Sequence, residues 1–172
     1  VIVPDLIEPI VGWRVWVAEV AYTSDGELAL GLNSLYFALC WPGDRPAVAR
    51  CEHSTVAPCD DDDHLCGIHA APTLERAAAY LSKRVRDPHE WAHHSTQIVV
   101  GTVELWGDVV EHEHGWRAKY ARPSELYVPS FFKARGYDIY AGEALGMLER
   151  HYQVRTRMFR HWWDIAPAQA AA

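Results

Sequence analysis

The sequence has no apolar run near the roughly 18 residues that a membrane-crossing helix needs, which argues against an integral membrane protein. It also lacks a surplus of basic charge: 16 Lys and Arg stand against 23 Asp and Glu, a formal net charge of −7. That balance suits sequence-independent nucleic-acid binding poorly, because such binding depends on neutralising phosphates. The 11 glycines and 10 prolines are too few and too unpatterned for a collagen-like or low-complexity chain. There is no G-x-S-x-G, no H-E-x-x-H, no P-loop, no G-x-G-x-x-G and no internal repeat. Pro58-Cys59 matches part of the zinc-deaminase signature, but no second cysteine follows at the required spacing. With no signal peptide or lipidation motif in view, the expected setting is cytoplasmic, where thiols stay reduced or hold metal.

What is present is ordinary globular composition at one-domain size: 172 residues, 49% hydrophobic and 23% charged, enough to bury a core. The run 13–22 (WRVWVAEVAY) is rich in valine and aromatics and predicts a strand. Ser24-Asp25-Gly26 predicts a turn and residues 27–32 the partner strand. Residues 47–51 read as a short strand. Residues 52–69 have no apolar periodicity and read as a loop that needs something other than a core to hold it. Thr73 is the expected N-cap of a helix whose apolar side is Ala77, Ala78, Tyr80 and Leu81. The strongest β signal is 97–121: two β-branched runs joined through Gly107, a turn at Glu113-His114-Gly115, then Trp116, Ala118 and Tyr120 alternating with Arg117 and Lys119. Gly101 and Gly107 inside it predict bulges or bends that curl a sheet. After a connector punctuated by Pro129 and Gly136, a last helix is expected from Ala141, with Leu145, Leu148 and Tyr152 on one face. The tail 167–172 (PAQAAA) reads as mobile.

The chemistry-bearing residues crowd into 51–70: Cys51, His53, Cys59, His64, Cys66 and His69. Thiolate sulfur and imidazole nitrogen are the ligands zinc favours. Cys66-Gly67-Ile68-His69 has the spacing of a chelating pair on a tight turn. The preferred set is Cys51, Cys59, Cys66 and His69, with His53 and His64 as alternates. Four protein ligands make a closed, structural zinc site able to order a loop without a hydrophobic face. Free, reduced cysteines and a disulfide are the competing readings. Asp60, Asp61, Asp62 and Asp63 read as an exposed acidic loop, since they lack the spaced ligands and turn glycine of a calcium loop. A reactive cysteine needs a lowered pKa and a nearby base, and the histidines around Cys51 and Cys66 are of the right type to provide one.

Two further groups stand out. Glu111, His112 and Glu113 are acid/base candidates; on a strand the carboxylates share one face and His112 and His114 the other. The alternative is a polar hairpin end, as His93-His94 is a polar loop. Trp13, Trp16, Trp106 and Trp116 are candidate groove-lining aromatics, and Arg150, Arg155, Arg157 and Arg160 make the C-terminal region basic, the expected charged face of the last helix. Trp106, Trp116, Arg155, Arg157 and Arg160 are the residues expected to meet a protein or nucleic-acid partner.

The runs Cys66-Gly67-Ile68-His69-Ala70, 101–113 (GTVELWGDVVEHE) and Gly115-Trp116-Arg117-Ala118, with Gly12-Trp13-Arg14 and Cys51 upstream, resemble a group of small bacterial proteins commonest in actinobacteria and their mobile elements. The resemblance covers most of 12–128 and implies a bacterial or phage origin, with no activity attached. Those proteins carry C-x-C-G, where this chain reads Cys59-Asp-Asp-Asp-Asp-His64-Leu65-Cys66; His64 stands where the first cysteine of that motif would. A looser similarity to curled PUA/ASCH-type barrels, some of which bind RNA or modified bases, concerns fold alone.

The expectation is an α+β fold: a curled, mostly antiparallel sheet or partial barrel with a Cys/His loop, one central helix and a C-terminal helix. Residues 1–128 form the β-rich core and 129–172 a helical extension packed on it. The favoured function is a zinc-stabilised, non-catalytic binding module. The alternatives are a small metal- or acid/base-dependent hydrolase or transferase, and a structural or accessory component of a phage or bacterial assembly.

Overall fold

The computed structural model describes residues 8–23, 25–35, 39–59, 66–83, 97–161 and 164–165. The valine-rich first run forms β1 (Ile10–Tyr22), which pairs antiparallel with β2 (Leu28–Ser34), Tyr22 opposite Leu28. Between them the Thr23 carbonyl accepts from the Gly26 N–H at 2.9 Å, with Gly26 at φ 79°. β3 (Ala47–Val48) and β4 (Ile68–Ala70) are short. α1 (Leu74–Lys83) starts as expected, the Thr73 hydroxyl accepting from the Arg76 N–H at 3.3 Å. β5 (Ile98–His112) and β6 (Gly115–Pro129) form the long central hairpin. α2 (Ala141–Tyr152) and β7 (Arg155–Phe159) complete the chain.

Among the described residues, seven strands make one sheet with the path β2-β1-β5-β6-β3, and β4 and β7 also pair with β6. Every pairing is antiparallel except β6 with β7. Register shifts fall at Thr102/Val103 and Trp106/Val109. The second contains Gly107, held at φ 79°. These bulges sharpen the twist, and the sheet curls far enough for Trp13 to exchange backbone hydrogen bonds with Ala71 just beyond β4, at 2.7 and 2.8 Å. One bridge ties the far edge back to β1; the ladder itself does not close.

Both faces of the sheet are covered, which explains why β1 reads as a nearly continuous apolar run. Trp13, Val15 and Val17 pack with Leu74, Ala77 and Leu81 of α1. Trp16 and Ala18 face inward with Trp41, Leu105, Leu126 and the α2 residues Ala144, Met147, Leu148 and Tyr152. The Tyr152 hydroxyl accepts from the Leu32 N–H at 2.6 Å and donates to the Trp41 carbonyl at 3.0 Å, so the helix is bonded to the core as well as packed on it.

The C-terminal region departs from expectation. Gln153 takes a left-handed φ of 54° and ends α2, so Arg155 and Arg157 lie on strand β7 and Arg160 just beyond it, not on a helix. Residues 129–172 thus contribute a strand to the sheet as well as a helix. Ser24, the acidic run 60–63, His64, His93-His94 and the tail 167–172 lie outside the described residues.

Candidate metal centre

β3 and β4 lie end to end along one edge of β6. Ala47 and Val48 pair with Ala121 and Tyr120, the Ala49 N–H donates to the Lys119 carbonyl at 2.8 Å, and Ile68, His69 and Ala70 pair with Ala118, Arg117 and Trp116. The chain therefore leaves the edge opposite Lys119 and rejoins it opposite Ala118, one strand position later. The described ends of this excursion, 50–59 and 66–67, meet at that edge. Cys51 and Cys66 sit at its two stems and Cys59 within it.

The three sulfurs converge, all within 4.8 Å of one another. Cys59 and Cys66 are buried, with Sγ atoms 3.3 Å apart, and Cys51 is half-buried. The Cys59 N–H donates to the Cys66 sulfur at 3.1 Å. Such N–H···S bonds favour the thiolate form that a metal binds. Ala57 packs in the cluster and Ala49 against it. Gly67, at φ 114°, lets the chain turn into β4; a Cβ there would lie 3.1 Å from the Cβ of Arg117 and 3.2 Å from that of Pro58.

Burial pushes the Cys66 thiol up to about 11; the Cys59 N–H works against this, and the neighbouring Cys59 and Cys51 thiols add to the rise. Held as thiolates, three sulfurs this close would repel one another, so only a cation among them would keep all three in that form. A divalent ion of the zinc type fits that donor set in charge and in softness.

His69 is outside this group. Cys66 and His69 are three residues apart, and because Ile68–Ala70 is a strand, alternation turns His69 away from the face that Ile68 and Ala70 bury. Its ring instead lies edge-on to His112, centroids 5.5 Å apart. His53 is exposed and also outside the cluster. Cys40 is exposed, bridged to Asn33 on β2.

One supporting residue escaped the sequence reading. Arg14 donates through Nη1 to the His69 carbonyl and through Nη2 to the Ser34 hydroxyl at 2.8 Å, with its guanidinium 5.1 Å from the Trp41 ring centre. It ties β4, and so the stem carrying Cys66, to β1 and β2. Burial lowers its pKa to about 10, still far above neutrality. Its signals were a lone charge inside an apolar run and its place in the Gly12-Trp13-Arg14 motif.

The remaining candidates are dispersed. Glu111 and Glu113 are exposed at the hairpin end, and Nδ1 of half-buried His112 accepts from the His114 N–H at 3.2 Å. Trp116, expected at a partner surface, is half-buried against the core, and a Cβ on Gly12 would lie 3.4 Å from its ring. Trp106 stacks on Tyr120 with centroids 6.0 Å apart, half-buried. Arg155 and Arg160 are exposed, whereas Arg157 pairs with Glu125 at 2.7 Å.

Set against known protein families, curated proteins and solved structures, the chain matches none. None of the described helices is long and apolar enough to cross a membrane.

Proposed function

We propose that this chain is a zinc-stabilised binding module. The observation that carries the metal reading is the convergence of the Cys51, Cys59 and Cys66 sulfurs, packed with Ala57 and Ala49, between the described ends of the excursion. A bound ion would join the described ends of the excursion with coordinate bonds. Zinc in a structural site takes four ligands. The fourth candidate by sequence position is His64, two residues before Cys66 and outside the described residues.

The partner surface in this reading is β7 with its neighbours, where Arg155 and Arg160 flank exposed Met158, together with the Trp106–Tyr120 pair and exposed Val48 beside it. Basic residues near the aromatic pair are matched by acids: Arg122 with Glu104 at 2.7 Å and Lys119 with Asp108 at 3.5 Å. Mixed charge of this kind, on a chain of net charge −7, favours a protein partner over a nucleic acid. No specific observation favours the hydrolase or assembly readings.

Elemental analysis of protein purified without added metal, paired with the Cys59→Ser variant, tests the metal reading. The expected result is one zinc per chain in the parent and almost none in the variant. Equal zinc in both, or none in the parent, would reject it.

A further inference from the structure

Two of the three sulfurs are placed to leave the metal together. Cys59 and Cys66 sit 3.3 Å apart, so closing a disulfide of about 2.05 Å needs a movement of only about 1.3 Å. They are also the shielded pair, 9% and 7% exposed, while Cys51 is half-buried and is the most exposed residue of the three. The excursion is held to β6 at both ends by backbone bonds, at Ala49 and at Ile68, that involve none of the sulfurs.

We infer that the cluster is a peroxide-responsive switch: oxidation starts at Cys51, ends in a Cys59–Cys66 disulfide and expels the metal. This inference rests on the metal reading above. In the first step the Cys51 sulfur attacks hydrogen peroxide. An S–O bond forms, the O–O bond breaks, and the departing hydroxide is protonated to water, leaving Cys51 as a sulfenic acid. The Cys59 sulfur then attacks that of Cys51, forming an S–S bond and breaking the S–O bond, and a second water leaves. Cys66 attacks the Cys59 sulfur, which moves the disulfide to Cys59–Cys66 and returns Cys51 as a thiolate. The sum is two thiols and one peroxide giving one disulfide and two waters. A bound zinc ion would take no part in the electron transfer, and with Cys59 and Cys66 joined only Cys51 of the three sulfurs would remain to hold it.

The consequence is local. Both stems stay paired to β6, so the sheet persists while the described ends of the excursion, 50–59 and 66–67, rearrange. Oxidation would thereby change a surface and leave the fold in place.

The test uses the full chain carrying Cys40→Ser, which removes the exposed thiol outside the cluster. Zinc release on addition of hydrogen peroxide is followed with a chromogenic chelator, and the disulfide is located by peptide mapping after alkylation. The expected result is zinc release matched by a Cys59–Cys66 disulfide; in Cys51→Ser, where disulfide formation rather than zinc release is read, that bond is expected to form about tenfold or more slower. Because Cys51→Ser also removes a ligand, alkylation of the unsubstituted cluster by limiting iodoacetamide gives a second measure, with Cys51 expected to be modified first. A protein that holds zinc and yields neither disulfide nor release under excess peroxide would overturn the switch and leave the metal reading intact. A final disulfide that includes Cys51 would overturn the assigned pairing. A zinc-free protein that still forms the Cys59–Cys66 disulfide would reject the metal reading, and expulsion with it, while upholding the pairing.

Discussion

The backbone N–H of Cys59 points at the sulfur of Cys66, 3.1 Å away, so the peptide that presents one thiol also steadies the other. Such an arrangement couples loop conformation to thiolate charge. Whatever removes the Cys66 sulfur removes a candidate ligand and the acceptor of that N–H at once.

Replacing Cys66 by serine is therefore expected to abolish metal retention and to lower stability by about 3 kcal/mol or more, about 10 °C in Tm for a chain of this size. Calorimetry and elemental analysis on the same preparation check both. Unchanged Tm together with unchanged metal content would contradict the prediction.

Much of the fold was legible, because the β1–β2 and β5–β6 hairpins combine long β-branched runs with turn residues where turns are needed. Gly107 announced a bulge, and the bulge is there. What escaped has physical reasons. β6 runs on to Pro129 through Pro123, a residue that argues against a strand because it cannot donate to the ladder. It is tolerated next to the register shift that leaves Ser124 unpaired. β7 was hidden because α2 ends on Gln153 rather than on a glycine, so no residue marked the stop. At the metal centre the cysteines were visible but their geometry was not. Three residues of strand are too short to show a period, and β4 alone decides that His69 turns away from Cys66.

Tyr152→Phe should be costly for so small a change. The hydroxyl serves the Leu32 N–H and the Trp41 carbonyl, both in the buried core. Its loss leaves two polar groups unpaired away from water, an expected loss of about 2–3 kcal/mol. Chemical denaturation would reveal it as a lower midpoint at unchanged slope.

Gly115→Ala tests the hairpin's close approach to β4. Gly115 has φ 137°, and a Cβ there would lie 2.1 Å from the Ala70 carbonyl oxygen. Neither the backbone conformation nor the space admits a methyl group, so a loss of about 2–4 kcal/mol is expected. Thermal unfolding of the variant measures it.

Acid should weaken the fold partly through His112. Burial lowers its pKa below the ordinary value of 6.5, and the nearby His114 and Arg117 charges add to the effect. On acidification the unfolded chain takes up this proton before the folded one does. The stabilisation is thus whole above about pH 6.5 and is lost as pH falls through the lower, folded value. Denaturation of His112→Asn between about pH 7.5 and about pH 5.5, about a unit either side of that constant, should show a shallower decline than the parent. Parallel curves would exclude His112 as a contributor.

The central claim is that one thiophilic ion joins Cys51, Cys59 and Cys66. Anomalous diffraction from crystals of the native protein, recorded on both sides of the zinc absorption edge, addresses it most directly. The account predicts a single strong peak about 2.3 Å from each of the three sulfurs. Three well-ordered sulfurs with no peak among them at that edge would contradict it.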